Sequence, residues 1–174
     1  MREASIEETE TGLQPADGGW WILNASDIGW FAVEGSGIWS SFESPSRRSP
    51  LLGIGIHILR PGETPGMYHS ESNQEGFLVL SGECLAIVEG EERPMRQWDY
   101  LHCPGTAHIT IGAGDGPCAI LMVGTRDPDD ATQYIADPVA ARYGAAVERE
   151  TFSAREAYAG RPPIEPARSP WPLG

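Results

Sequence analysis

Short runs of apolar residues, separated by glycine-rich turns, dominate residues 51 to 124. In the run LLGIGIHILR, Ile54, Ile56 and Ile58 fall on one face of an extended chain and His57 on the other, which is the period of a β-strand. Further runs follow in EGFLVLSGECLAIVEG and, after the turn GAGDGP, in CAILMVG. Because the turns recur at short intervals and no strand alternates with a long helical segment, this pattern predicts an all-β barrel or sandwich and argues against a dinucleotide-binding fold.

Changes in composition divide the chain into four segments. Residues 1–18 are acidic and poor in periodic apolar residues, so we expect a flexible tail. Residues 19–50 hold four of the six tryptophans and predict edge strands that pack on the barrel. Residues 51–125 are the predicted barrel core, and residues 126–174 are a C-terminal extension.

The C-terminal extension has two parts. Its first part has helical potential that the sequence predicts to be broken at Pro138, followed by a short helix in SAREAYAG capped by Ser153 and Glu156. The last part, RPPIEPARSPWPLG, is rich in proline and predicts an extended arm along the barrel or a neighbouring subunit.

Charge and composition exclude several classes of function for this chain. The formal net charge is −13, so we expect no nucleic-acid partner, and no apolar run is long enough to span a bilayer. The acidic N-terminus differs from a secretory signal, which predicts a cytoplasmic protein. The chain has no lysine, which excludes Schiff-base chemistry, and its three cysteines argue against a disulfide framework.

All four histidines lie between residues 57 and 108, and two of them stand in a pattern typical of a metal site. His69 is followed by Glu71 and Glu75, and His108 opens a later apolar run. Neutral nitrogen donors and anionic oxygen donors on neighbouring strands are what a divalent metal requires. Glu75 also borders an apolar strand, where a buried carboxylate needs a partner. A surface histidine and a solvated glutamate are the alternative interpretation.

This pattern resembles the two motifs of the cupin superfamily, carried here by PGETPGMYHSESNQEGFLVLSG and WDYLHCPGTAH. The resemblance implies an antiparallel cupin-type β-barrel, a double-stranded β-helix or jelly roll, with a metal site inside. The sequence departs from the motifs at several positions: six residues rather than five separate Gly62 from His69, Glu71 replaces a histidine, Trp98 replaces a glycine, Pro104 and Gly105 are adjacent, and Gly112 replaces an asparagine.

The expected ligands are therefore His69, Glu75 and His108. Glu71 either takes the place of the missing histidine as an oxygen ligand or faces water. His57 and His102 lie on strands at positions that can face the cavity, where each either supports the ligands without touching the metal or is a hydrogen-bonded core histidine. Two histidines with one or two carboxylates suit iron, manganese or zinc.

The resemblance implies a metal-dependent enzyme that acts on a small organic molecule, by dioxygenation, decarboxylation or isomerisation. A non-catalytic module that binds a small ligand or a metal for sensing or storage is the second hypothesis, and a barrel that has lost its metal is the third. The exposed apolar surface expected outside the barrel, together with edge strands, predicts a homodimer.

Overall fold

The computed structural model describes residues 2–44 and 48–171, which form two antiparallel sheets and a separate hairpin. The hairpin consists of β1 (Ile6–Glu8) and β2 (Leu13–Pro15). The larger sheet contains β3 (Trp30–Val33), β4 (Gly37–Ser41), β5 (Leu52–Leu59), β7 (Gln74–Ser81), β10 (Tyr100–Pro104), β12 (Cys118–Thr125) and β14 (Glu165–Ala167). The smaller sheet contains β6 (His69–Ser70), β8 (Glu83–Val88), β9 (Glu91–Arg96), β11 (His108–Ala113) and β13 (Gln133–Tyr134). The helices are α1 (Pro138–Ala141) and α2 (Ala154–Ala157).

Between β5 and β12 the chain passes repeatedly from one sheet to the other. The larger sheet has the order β10-β7-β12-β5-β4-β3-β14 and the smaller sheet the order β13-β6-β11-β8-β9. Their facing surfaces meet in one apolar core, which includes Leu59, Phe77, Val79 and Ile120. The predicted all-β, antiparallel fold is confirmed, in the form of two facing sheets that together make the barrel.

The C-terminal half of strand β5 has buried apolar side chains on both faces of the sheet. Leu59 lies in the core between the sheets, whereas Ile56 and Ile58 pack on the opposite face against Trp30. Trp30 is fully buried, and its indole N–H donates to the Ala25 carbonyl at 3.0 Å. The tryptophan-rich segment thus extends the larger sheet through β3 and β4 and covers its outer surface.

The acidic N-terminal segment contains a short hairpin. Strands β1 and β2 pair over three residues, and Ala4 is buried. The Asp17 carboxylate accepts hydrogen bonds from the Ser5 backbone N–H at 2.9 Å and from Arg2 at 2.7 Å. These polar contacts and the paired backbone stabilise a segment that has few apolar side chains to bury.

The C-terminal extension departs from prediction at one position. Pro138 begins α1 instead of breaking a helix, because a proline in the first turn has no N–H to leave unpaired, and Asp137 caps that turn. Ser153 caps α2 as predicted, accepting from the Glu156 backbone N–H. Part of the proline-rich arm pairs with β3 as β14. Among the described residues, no helix is long and apolar enough to cross a membrane.

Two departures from the cupin motifs have opposite structural consequences. A Cβ atom at Gly112 would lie 2.0 Å from the Arg60 carbonyl oxygen, so the backbone leaves no room for asparagine or any other side chain there. Trp98, in contrast, adopts a φ of 75°, a conformation that favours the glycine expected at that position. Strand β11 is therefore packed against the backbone of Arg60 at Gly112, and the turn at Trp98 is strained.

Candidate metal centre

His69 and His108 face each other on two neighbouring strands of the smaller sheet. They are direct register partners in the pairing of β6 with β11, and their ring centroids are 5.0 Å apart. His108 is only 3% exposed, and Phe77 packs against its ring with centroids 5.0 Å apart. The sheet thus holds both imidazoles on the same face, as expected from the sequence pattern.

A hydrogen bond of the same kind orients each of the two imidazole rings. His69 Nδ1 lies 2.6 Å from the Met67 carbonyl oxygen, and His108 Nδ1 lies 2.9 Å from the Thr106 carbonyl oxygen. In each case a carbonyl two residues earlier accepts the Nδ1 proton, so a neutral ring keeps a lone pair on Nε2. This is how metal-binding histidines are usually oriented in proteins.

Glu75 approaches this pair from the larger sheet, where it lies near the start of β7. Its Oε2 atom is 2.9 Å from His108 Nε2, and one potential ligand atom each from His69, Glu75 and His108 lies within 4.8 Å of the other two. When His108 is neutral and keeps its lone pair on Nε2, the buried Glu75 Oε2 atom has no hydrogen-bond donor among the described residues. A buried carboxylate oxygen without a donor, next to two oriented imidazoles, fits a divalent cation.

Without a metal, Glu75 and His108 stabilise each other's charge. Burial alone would lower the pKa of His108, but its contacts with the Cys103 thiol, the Glu75 carboxylate and the Thr106 carbonyl raise that pKa to about 10. Burial likewise opposes ionisation of Glu75, yet the neighbouring His108 holds the pKa of Glu75 below its ordinary value. Burial lowers the pKa of His69. The metal-free centre is thus an imidazolium–carboxylate pair beside a neutral imidazole.

Glu71 lies beside this group but outside the set of three convergent residues. Its burial, together with the negative charges of Glu75 and Asp130, raises the pKa of Glu71 to about 8. Glu71 is therefore protonated at neutral pH in the metal-free protein, and it interacts with Glu75 through a side-chain hydrogen bond.

A groove of about 370 Å³ crosses strands β4, β5, β12 and β7 of the larger sheet and has Glu75 in its wall. Its walls include Glu71, Glu75, His57, Trp39 and Met122. Burial lowers the pKa of His57 to about 4, so this histidine is neutral, and its ring centroid lies 6.2 Å from that of Trp39. The structure thus places His57 beside the centre, at the groove rather than among the convergent ligand atoms.

His102 does not face the cavity, so neither role expected for it there, supporting the metal ligands or forming part of the core, fits its position. It lies on β10 and is exposed, whereas the next residue, Cys103, is 1% exposed. Cys103 is the register partner of Glu75 and contacts His108. Sequence reasoning missed this residue, although the alternation of Leu101 and Cys103 with polar neighbours in β10 indicates which face is buried.

Comparison with known proteins agrees with this architecture. The family model for the cupin domain matches residues 55–124. The polyketide cyclase RemF from Streptomyces resistomycificus is similar in structure, with a TM-score of 0.57 and 14% sequence identity over 75% of this chain and 100% of that one. A cupin 2 domain-containing protein from Halorhodospira halophila has a TM-score of 0.50 and 16% identity over 62% of this chain and 75% of that one.

A third similar structure is described as a putative sugar phosphate isomerase from Acidithiobacillus ferrooxidans. It has 26% identity and a TM-score of 0.45. The match covers 47% of this chain and 55% of that protein's length. No curated protein sequence matches the chain. The family model thus identifies residues 55–124 of this chain as a cupin domain, and the two antiparallel sheets have the fold expected of one.

Proposed function

We propose that the protein is a metal-dependent enzyme that acts on a small organic molecule bound in the groove beside Glu75. His69, Glu75 and His108 would hold one divalent cation, either iron, manganese or zinc. The observation that carries this proposal is the convergence of one potential ligand atom each from His69, Glu75 and His108 within 4.8 Å of one another, with the buried Glu75 Oε2 atom 2.9 Å from His108 Nε2. A cation would neutralise the negative charge of the Glu75 carboxylate, and the Nε2 atoms of both histidines would coordinate it through their lone pairs.

The side chains around the groove favour proton transfer among the reaction classes that the family resemblance implies. A bound divalent metal would act as a Lewis acid on a substrate oxygen. Glu71 and His57 both line the groove that has Glu75 in its wall, so two groups able to carry a proton lie on the substrate side of the centre. We therefore propose isomerisation of a carbonyl compound, with Glu71 moving the proton and Phe77 helping to keep water from His108.

Metal content and hydrogen exchange test the two parts of this proposal separately. Purified protein would be stripped with chelator, reloaded with iron(II), manganese(II) or zinc(II), and analysed for bound metal. Each loaded form would then be incubated in D2O with small hydroxy-ketones, and deuterium incorporation next to the carbonyl would be followed by NMR. The expected result is one metal per chain and exchange that E71Q abolishes while metal content persists.

A non-catalytic metal-binding or ligand-sensing module is the second candidate function. It is favoured by the Glu75–His108 pair, which already balances charge without a metal and thus gives the centre a stable metal-free form. Stoichiometric, reversible metal binding without deuterium exchange or oxygen consumption over a substrate panel would support this module over the enzyme. Failure to bind any of the three metals would contradict the enzyme and the metal-binding module, and would leave only a module that senses a small ligand.

A further inference from the structure

Arg161 is a half-buried cation without an acidic partner. It follows α2 and lies between the β3–β4 turn and the loop that leads to His69. Its guanidinium donates to the Ser36 hydroxyl at 3.2 Å, to the Gly66 carbonyl at 2.9 Å and to the Met67 sulfur at 3.4 Å. All three acceptors are neutral. No carboxylate of the described residues lies within ion-pair distance of this guanidinium.

This lack of a counter-charge distinguishes Arg161 from Arg126, the other arginine of the described residues that is not exposed. The chain has 25 acidic residues against 12 arginines, and the partly buried Arg126 is paired with Glu43 at 2.9 Å. Burial lowers the pKa of Arg161, which reflects the cost of holding the cation away from water. A guanidinium has five N–H donors, so the three observed contacts leave donors available to a planar anion.

The guanidinium lines a pocket of about 310 Å³ whose other walls are mostly apolar. Val33 and Trp39 come from β3 and β4, and Pro65, Pro162 and Ile164 complete much of the remaining wall. The Tyr158 ring stacks on the guanidinium, with its centroid 5.0 Å from Arg161 Cζ. The pocket thus combines one positive charge with a flat apolar surface, and Ser36, which is 8% exposed, adds a hydroxyl at its inner end.

From this arrangement we infer a second small-molecule site, separate from the candidate metal centre, which binds a carboxylic acid with a flat apolar body. The carboxylate accepts hydrogen bonds from the unused guanidinium N–H groups of Arg161 and from Ser36, and the apolar body packs between Trp39 and Ile164. Such a ligand supplies the missing charge and covers the apolar walls, which are the two requirements of the pocket.

The test uses the full-length protein in its metal-free form, so that a carboxylate cannot bind at a metal. The probe is 3-phenylpropionate, with the neutral 3-phenylpropionamide as its control, and binding is measured by ligand-observed NMR and calorimetry. We expect saturable binding of the acid and affinity at least about tenfold lower for the amide, because a charge-assisted hydrogen bond is lost. Since no metal is needed, this result is independent of the proposed metal chemistry.

Matched variants locate the site. R161Q should lower the affinity for 3-phenylpropionate at least about tenfold. R155Q, which changes an exposed residue of α2, should bind the acid like the wild type. I164S removes a wall residue that is 64% exposed, so it should fold normally and bind the acid several-fold more weakly. Equal affinity for acid and amide, wild-type binding by R161Q, or no saturable binding would overturn the inference. Dimerisation that covers the pocket and is lost in R161Q would also overturn it.

Discussion

His69 and His108 are register partners on adjacent antiparallel strands, and their ring centroids are 5.0 Å apart. This pairing holds two imidazoles on one face of a rigid sheet, while Glu75 approaches from the opposite sheet. Three elements therefore build the centre, and each contributes a single ligand. Substitution of any one of these ligands should therefore lower the affinity for the metal without unfolding the barrel.

The first prediction concerns metal stoichiometry. H69A and H108A should each lose stoichiometric zinc or manganese, because a site of three protein ligands cannot hold the ion tightly with two. H102A should retain full metal content, since His102 is exposed on β10. H57A should also retain it, because His57 lies at the groove outside the convergent atoms. Full metal content in H108A, measured by elemental analysis, would show that the ligand assignment is wrong.

The second prediction is that metal binding depends on pH well above the ordinary range for histidine. The pKa of His108 is raised to about 10, so its ring carries a proton at pH 7 that must leave when a metal binds. Zinc binding at pH 7 should release about one proton, and the apparent affinity should rise about tenfold per pH unit below the His108 pKa. Calorimetry in buffers of different ionisation enthalpy measures the proton count. A metal affinity independent of pH between 7 and 8.5 would contradict the ion pair between His108 and Glu75.

The third prediction concerns Glu71 in the metal-free protein. Its folded-state pKa is about 8, above the ordinary value of 4.5, so the unfolded chain loses this proton more readily. The contribution of Glu71 to stability is therefore full below pH 4.5 and declines as the pH rises toward 8. E71Q, which resembles the protonated form, should melt a few degrees higher than the wild type at pH 8.5 and nearly equally at pH 4.5. Thermal melts in chelator test this, and an equal difference at both pH values would disagree with it.

The fourth prediction addresses the close packing at Gly112. A Cβ atom there would lie 2.0 Å from a backbone oxygen of Arg60, so G112A must displace the loop between β5 and β6. We expect a loss of about 3 kcal/mol in the free energy of unfolding, measured by urea denaturation. G116A is the matched control, because a Cβ at Gly116 has no heavy atom within 4 Å. Equal stability of the two variants would show that the loop moves freely.

The fifth prediction is a homodimer. Large apolar side chains remain exposed outside the barrel core, including Ile22 at 84%, Leu51 at 74% and Trp98 at 67%. Exposed apolar side chains that lie together in one patch are typical of protein–protein interaction sites. Sedimentation equilibrium at micromolar concentration should give about twice the chain mass of 18.8 kDa. Single serine substitutions of these residues should lower the association constant if they lie in the interface, and a mass of one chain would contradict the prediction.

Local pattern was sufficient for the fold class and for selecting the three residues that the structure brings together in the candidate centre. Period-two alternation specifies strands because successive side chains point to opposite faces, and the spacing from His69 to Glu75 and the position of His108 are properties of the sequence alone. Alternation also contains the information that Cys103 faces inward and His102 outward, since Leu101 and Cys103 are the apolar members of β10.

Other features were decided only by the tertiary structure, because they depend on contacts between segments far apart in the sequence. The hairpin of the N-terminal segment arises from pairing between β1 and β2, which composition does not reveal. The environment of Arg161, with neutral acceptors in place of a carboxylate, is formed only when the C-terminal segment packs against Ser36, 125 residues earlier. The raised pKa of His108 likewise requires Glu75 and Cys103 to meet it from the opposite sheet. Sequence determined which residues were available, and long-range packing decided which of them share an environment.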